Sequence, residues 1–174
     1  RNATILATDY FQKGLLAEKN GERLQAISFY FQGFRSIEKY LGEVIRVTIE
    51  NKEVLLTNEL YASIQSILDK INIQVTPSEI SLNRRVNQSA QTVMARAGYK
   101  DFLRPVASLP LRAGFEKGAG DIFPTYQTDD SGQAKILMTK ISSKEMEQTV
   151  GVSVDIDALS GSGNSPIYSL VART

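Results

Sequence analysis

Pro105-Val106-Ala107-Ser108-Leu109-Pro110-Leu111-Arg112-Ala113-Gly114-Phe115 is the stretch that decides the fold of the C-terminal half. Leu109, Leu111, Ala113 and Phe115 occupy alternate positions, the two-residue period of a strand with one buried face. Gly118-Ala119-Gly120 and then Thr128-Asp129-Asp130-Ser131-Gly132 follow as turn signals, and Ala134, Ile136 and Met138 alternate after them. Outward from this run the same period recurs. Ile73 and Val75 alternate before Thr76-Pro77, and Ile80 and Leu82 alternate after it. Val93, Ala95, Ala97 and Tyr99 share one face of a strand, and so do Val150, Val152, Val154 and Ile156. Ile122 to Gln127 is a weaker strand whose Pro124 suits a sheet edge. Several short strands separated by turns imply a sandwich or barrel.

Before Asn72 the period is helical. From Ala3 to Lys19 the residues Ala3, Ala7, Tyr10, Phe11, Gly14 and Leu15 recur at helical spacing, and Asn20-Gly21 supplies a stop. A second helix is expected from Glu22 to about Tyr40, with Leu24, Ile27, Phe31 and Phe34 along one stripe and Gly42 at its end. Glu43 to Glu53 is β-branched and ambiguous; a helix or irregular connection is the expectation, a short strand the alternative. Leu60, Ile64, Ile67, Leu68 and Ile71 define a third helix, with Thr57 or Asn58 as its cap. The expected organisation is a helical region over residues 1–71, a β-domain over 72–159, and a linker with the start of a further segment, Ile167 to Val171, over 160–174.

Composition restricts the chemistry. The chain has 174 residues, 42% of them hydrophobic, and a formal net charge of +1. Nine basic and nine acidic residues precede Ile71, and eleven and ten follow, so neither half carries the basic excess that nucleic acid or an anionic membrane rewards. Cysteine and histidine are both absent, which removes disulfides, thiolate metal sites and the usual triads. No cofactor or metal is expected. No apolar run approaches the ~20 residues of a membrane span. The start at Arg1 and the Ser/Gly-rich stretch before a new apolar segment suggest a piece of a longer polypeptide.

Two resemblances follow from these residues. Gly14, Gly21, Ala26, Tyr30 and Gly33 stand at the spacing of a tetratricopeptide repeat, whose small residues let two antiparallel helices approach around an aromatic ring. Ala17 replaces an aromatic of that pattern, and no proline closes the repeat. One repeat cannot bury its own faces, so it must pack on the third helix, on the β-domain or on preceding repeats. The segment Arg104 to Ile156 resembles bacterial immunoglobulin-like domains of the invasin and intimin type, through the run Pro105 to Phe115, Gly118-Ala119-Gly120 and Thr128 to Ala134. The arrangement as a whole resembles secreted or lipid-anchored bacterial envelope proteins. It implies an α+β chain: a helical hairpin and third helix, then an immunoglobulin-like Greek-key sandwich of about seven strands. The implied setting is extracytoplasmic, in the periplasm or at the cell surface, with membrane anchoring only through an N-terminal lipid signal outside these residues.

Each candidate site has a plainer use. Thr128 to Gly132 offers carboxylates for calcium, but Asp and Gly also make tight turns. Asp155 and Asp157 offer paired acids, but a solvent-facing strand accounts for both. Gly114, Gly118 and Gly120 lack the Lys-Ser/Thr of a phosphate loop and suit a hairpin. Tyr30, Phe31 and Phe34 are core by default, and Tyr30 and Phe34 are the candidates for a partner-binding groove. Arg84, Arg85, Arg96, Lys100, Arg104 and Arg112 are interspersed with acids as on an ordinary surface. The expected function is a non-enzymatic structural or protein-interaction module, bound to a protein partner or to neighbouring domains of its own chain. The alternative is a carbohydrate- or cell-wall-binding module using sandwich loops, with Tyr126 and Tyr99 as its stacking candidates.

Overall fold

The computed structural model describes residues 2–40, 42–81, 90–101, 104–142 and 147–160. The expectations for Leu82, for Arg84 and Arg85, and for the segment beyond Ser160 lie outside them. Two compact units emerge among the described residues, one built from residues up to Asp69 together with Ile156–Ser160, the other from Lys70–Asp155.

In the helical unit, α1 (Asn2–Lys19) and α2 (Arg23–Ile37) pack as an antiparallel pair, and a 3₁₀ turn, Glu38–Tyr40, extends α2. The Asn20-Gly21 stop operates through backbone geometry. Gly21 takes φ +77°, its N–H donates to the Glu18 carbonyl, and the Glu22 N–H donates to that of Ala17 at 2.9 Å. These two bonds form a Schellman cap and satisfy carbonyls that a helix end leaves unpaired. Small residues set the closeness of the pair. Tyr30 fills the space left by the missing Cβ of Gly14, and Gly33 lies against Ala7, Tyr10 and Leu60. Tyr30, Phe31, Phe34, Ile27 and Ile37 are fully buried, each side chain worth about 1.5–3 kcal/mol of transfer free energy.

The ambiguous stretch is a β-hairpin rather than a helix or irregular connection. β1 (Arg46–Ile49) pairs antiparallel with β2 (Lys52–Leu55) around Glu50 and Asn51, which take φ +52° and +65°. Two consecutive left-handed residues are what a two-residue hairpin turn demands, and β-branched Val47, Thr48 and Ile49 suit the strand. α3 (Leu56–Leu68) starts directly after β2, two or three residues earlier than the expected caps imply. Neither Thr57 nor Asn58 caps it; Leu55 holds the cap position without a side-chain bond, and the Leu56 N–H donates to the Ile45 carbonyl at 3.0 Å. Leu56, Leu60, Ile64 and Ile67 bury its apolar stripe.

The β-unit contains β3 (Ile71–Thr76), β4 (Ala90–Tyr99), β5 (Pro110–Lys117), β6 (Asp121–Ile122), β7 (Thr125–Gln127), β8 (Gln133–Thr139) and β9 (Thr149–Val154). They form a four-stranded sheet of order β3-β4-β8-β6 and a three-stranded sheet of order β7-β5-β9, with every pairing antiparallel. Val93, Ala95, Ala97, Ala134, Ile136 and Met138 bury one face of the first, and Leu111 and Ala113 one face of the second. The alternation in the sequence thus marks the buried faces correctly. Pro124 falls between β6 and β7, each an edge strand of a different sheet. The Gly118-Ala119-Gly120 segment is not a hairpin, because β5 and β6 belong to different sheets; it carries the chain from one to the other, with Gly118 at φ +93°.

The strand expected to run through Ile156 ends at Val154. Ile156 opens a short helix, α4 (Ile156–Ser160), and Ile156 and Leu159 pack on the helical core. The β-unit spans Lys70–Asp155.

Candidate interaction surfaces

The two residues expected to line a groove are interior. Tyr30 and Phe34 each have 0% relative exposure, so neither presents a surface to a partner. The Tyr30 ring packs against that of Phe11 with centroids 5.5 Å apart and planes tilted by 39°, and its hydroxyl donates to a Glu18 carboxylate oxygen. Burial foremost, and then the hydrogen bond to Glu18 and its charge, push the Tyr30 pKa far above the ordinary phenol value. The hydroxyl is a structural donor held neutral.

What the helical unit does present is the opposite face of α1. Ile5 is 65% exposed, Leu6 48% and Leu16 60%. Ile5, Asp9, Gln12 and Leu16 follow one another at helical spacing along this face, which points away from α2. Shallow grooves flank it on either side. One of about 170 Å³ is lined by Gln12, Leu15, Leu16, Lys19, Ile49 and Glu50, with Lys19 Nζ 3.6 Å from Glu50 Oε1. The other, about 350 Å³, is lined by Leu6, Tyr10, Gln32, Arg35 and Ser36. Sequence reasoning passed over Ile5, Leu6 and Leu16. The signal was present: α1 carries apolar residues on both faces, more than its contact with α2 requires.

Among the described residues of the β-unit an exposed aromatic is Phe123, at 69%, packed edge-to-face on the half-buried Tyr126 with centroids 6.3 Å apart. Tyr99, the other stacking candidate, is half-buried at the end of β4. Phe123 was missed because it sits beside Pro124, outside any alternating run.

The remaining candidates resolve into structure. Asp129 Oδ1 accepts from Ser131 N at 2.9 Å, Ser131 Oγ at 2.7 Å and Gln133 N at 2.9 Å. Those bonds, led by that from Gln133, hold its carboxyl below the ordinary Asp range. This oxygen is saturated by the turn, and among the described residues no cluster of three or more acidic side chains is arranged to hold a metal. Asp155 is not on a solvent face. It is 4% exposed, with an oxygen 3.5 Å from Arg112 Nη2, while Asp157 lies in α4, so the two acids do not share a strand face. Thr128 is also buried; its hydroxyl donates to the Val106 carbonyl at 2.6 Å and accepts from Leu109 N at 2.8 Å. It fastens the arch in which Ser108 takes φ +58°.

No family model and no curated protein matches the sequence. Among solved structures, the C-terminal 282-residue fragment of intimin, in complex with the intimin-binding domain of the translocated intimin receptor, is similar at 22% identity and a TM-score of 0.35. That likeness covers 49% of this chain and 27% of the fragment. The D00-D0 domain of intimin is similar at 10% identity and a TM-score of 0.25, over 45% of this chain and 50% of that domain. TM-scores this low do not establish a common fold.

Proposed function

We propose that the chain is a non-enzymatic protein-interaction module of a larger bacterial cell-envelope protein, and that it docks its partner on the outward face of α1. The observation that carries this reading is the exposure of Ile5, Leu6 and Leu16 on a helix whose other face is already buried. A helix pair with small residues at its seam has a second face suited to stacking another helix, the way repeat units bury their surfaces. In this reading the β-unit is an immunoglobulin-like Greek-key scaffold, and the resemblance of Pro105 to Ala134 to invasin-type domains supports an extracytoplasmic setting.

The test compares the wild-type chain with an Ile5→Glu/Leu16→Glu variant for capture of bacterial envelope proteins. Both positions are exposed, so each substitution is expected to change stability by no more than about 0.5 kcal/mol. A partner captured by the wild type and lost from the variant at unchanged melting temperature is the expected result. Equal capture by both would remove α1 from the account.

A second reading has one observation in its favour. Phe123 beside Tyr126 offers an aromatic face on which a sugar ring stacks. Glycan binding abolished by Phe123→Ala would favour it, and a glycan array with no signal would eliminate it.

A further inference from the structure

The exposed face of α1 carries a longer pattern than its three apolar residues. Asn2, Ile5, Asp9, Gln12, Leu16 and Lys19 are all exposed, and they follow one another at alternating intervals of three and four. That is the seam spacing of a coiled coil, on the side of the helix opposite the buried Ala7, Phe11 and Gly14. The groove of about 170 Å³ fits the same pattern. Four of its six lining residues, Gln12, Leu15, Leu16 and Lys19, stand at i, i+3, i+4 and i+7. Four residues so placed on one helix form the hole that receives a single side chain from a facing helix.

The pattern is complementary to itself. When two copies of α1 lie antiparallel about a twofold axis at mid-helix, Ile5 faces Leu16, Asp9 faces Gln12 and Asn2 faces Lys19, each pair occurring twice. Ile5 of the second copy then enters the hole between Gln12, Leu15, Leu16 and Lys19. The polar centre favours this occupant. An apolar helix laid here would bury the Asp9 carboxylate and the Gln12 amide against carbon. A second copy instead sets a Gln12 amide donor opposite each Asp9 carboxylate. Charge also lets two like faces meet. Lys13 Nζ lies 3.2 Å from Asp9 Oδ2 and Lys19 Nζ 3.6 Å from Glu50 Oε1, so neither copy brings an uncompensated charge to the seam.

We infer that the partner of the α1 face is a second copy of this chain, docked antiparallel and helix on helix in this register. The inference rests on the reading of α1 as the docking face and gives that face its occupant. Two helices of 18 residues meet over about 27 Å. A contact of that length lies at the low end of specific interfaces, about 1,000 Å² in total, so the dimer is weak and forms with rising concentration.

Analytical ultracentrifugation of the full 174-residue chain, from about 1 to 500 µM, tests the inference. The wild type is expected to pass from monomer to dimer over that range. Ile5→Glu alone and Leu16→Lys alone are each expected to weaken the dimer at least about tenfold, because each sets an unpaired charge against an apolar side chain twice. Both positions are exposed, so both variants are expected to melt with the wild type. An equimolar mixture of the two variants is expected to recover association, since one contact then pairs opposite charges and the other remains Ile5 on Leu16. A monomer at every concentration would overturn the inference. So would a dimer that neither substitution weakens, or a mixture that associates no more tightly than its components. A monomeric chain that still captures an envelope protein through Ile5 and Leu16 would overturn the second copy as occupant and leave α1 as the docking face.

Discussion

Gly14→Ala separates helix propensity from packing at the centre of the helical unit. In an isolated helix this change stabilises by about 1 kcal/mol, because glycine carries the larger entropy cost. Here the new Cβ would lie 2.6 Å from Tyr30 Cδ1, 2.8 Å from Cζ and closer still to Cε1. The ring cannot give way easily. It is fully buried, it packs on Phe11, and its hydroxyl is tied to Glu18. Overpacking of this kind costs about 1–3 kcal/mol, and displacing the hydroxyl from its acceptor adds about 1 kcal/mol more. Against the propensity gain the net expectation is a destabilisation of about 1–3 kcal/mol. Urea unfolding at 25 °C measures it, with a Tyr30→Leu background as control. Without the ring, Gly14→Ala should be neutral or stabilising. A single variant as stable as the wild type, or an equal loss in both backgrounds, would refute the claim that Gly14 is selected by the Tyr30 ring.

Three further outcomes are expected. Tyr30→Phe should cost about 1 kcal/mol at neutral pH, since the Glu18 carboxylate loses a donor. Because the folded pKa of Tyr30 is raised, its contribution is complete below the unfolded value of about 10 and falls above it by about 1.4 kcal/mol per pH unit. Urea melts between neutral pH and pH ~11 should show that slope in the wild type and lose it in Tyr30→Phe. Gly132→Ala should be severely destabilising, by about 2–4 kcal/mol in thermal unfolding, because φ is +75° and the Cβ would meet Pro105 Cβ at 2.9 Å and the Ala97 carbonyl closer still. Asp129→Ala should lower the melting temperature, and the Asp129 contribution, present above the ordinary Asp pKa, should fade as pH drops below it. Added calcium should leave the wild-type melting temperature unchanged.

The sequence made the β-unit legible because its strands bury one face each. Val93, Ala95 and Ala97, and Ala134, Ile136 and Met138, are the buried sets that alternation names. Alternation carries no information about which strand pairs with which. The Gly118-Ala119-Gly120 segment was therefore read as a hairpin, although it links two sheets. Short elements were harder. Arg46 to Leu55 is too brief for its period to outvote its helical neighbours, and its turn uses Glu50-Asn51 in place of the glycine that usually signals such a turn. Asp155 and Ile156 continue the β9 alternation in sequence, but Ile156 is drawn into a helix by packing on the helical core, a tertiary effect that no local pattern records. At the candidate surface, Tyr30 and Phe34 drew attention as aromatics, yet aromatics beside Gly14 and Gly33 are what a close helix pair buries. The exposed apolar residues are Ile5, Leu6 and Leu16, which α1 carries beyond what its contact with α2 requires.

The most direct test of the interaction account is site-specific photo-crosslinking in bacterial cells producing the protein. A photoreactive residue replaces Leu16, and in a control it replaces Leu137, an exposed apolar residue of β8 that is 49% accessible. The account predicts a discrete adduct with one envelope protein from position 16, abolished by Ile5→Glu in the same chain, and none from position 137. Adducts that are absent from position 16, or that form equally from both positions, would contradict it.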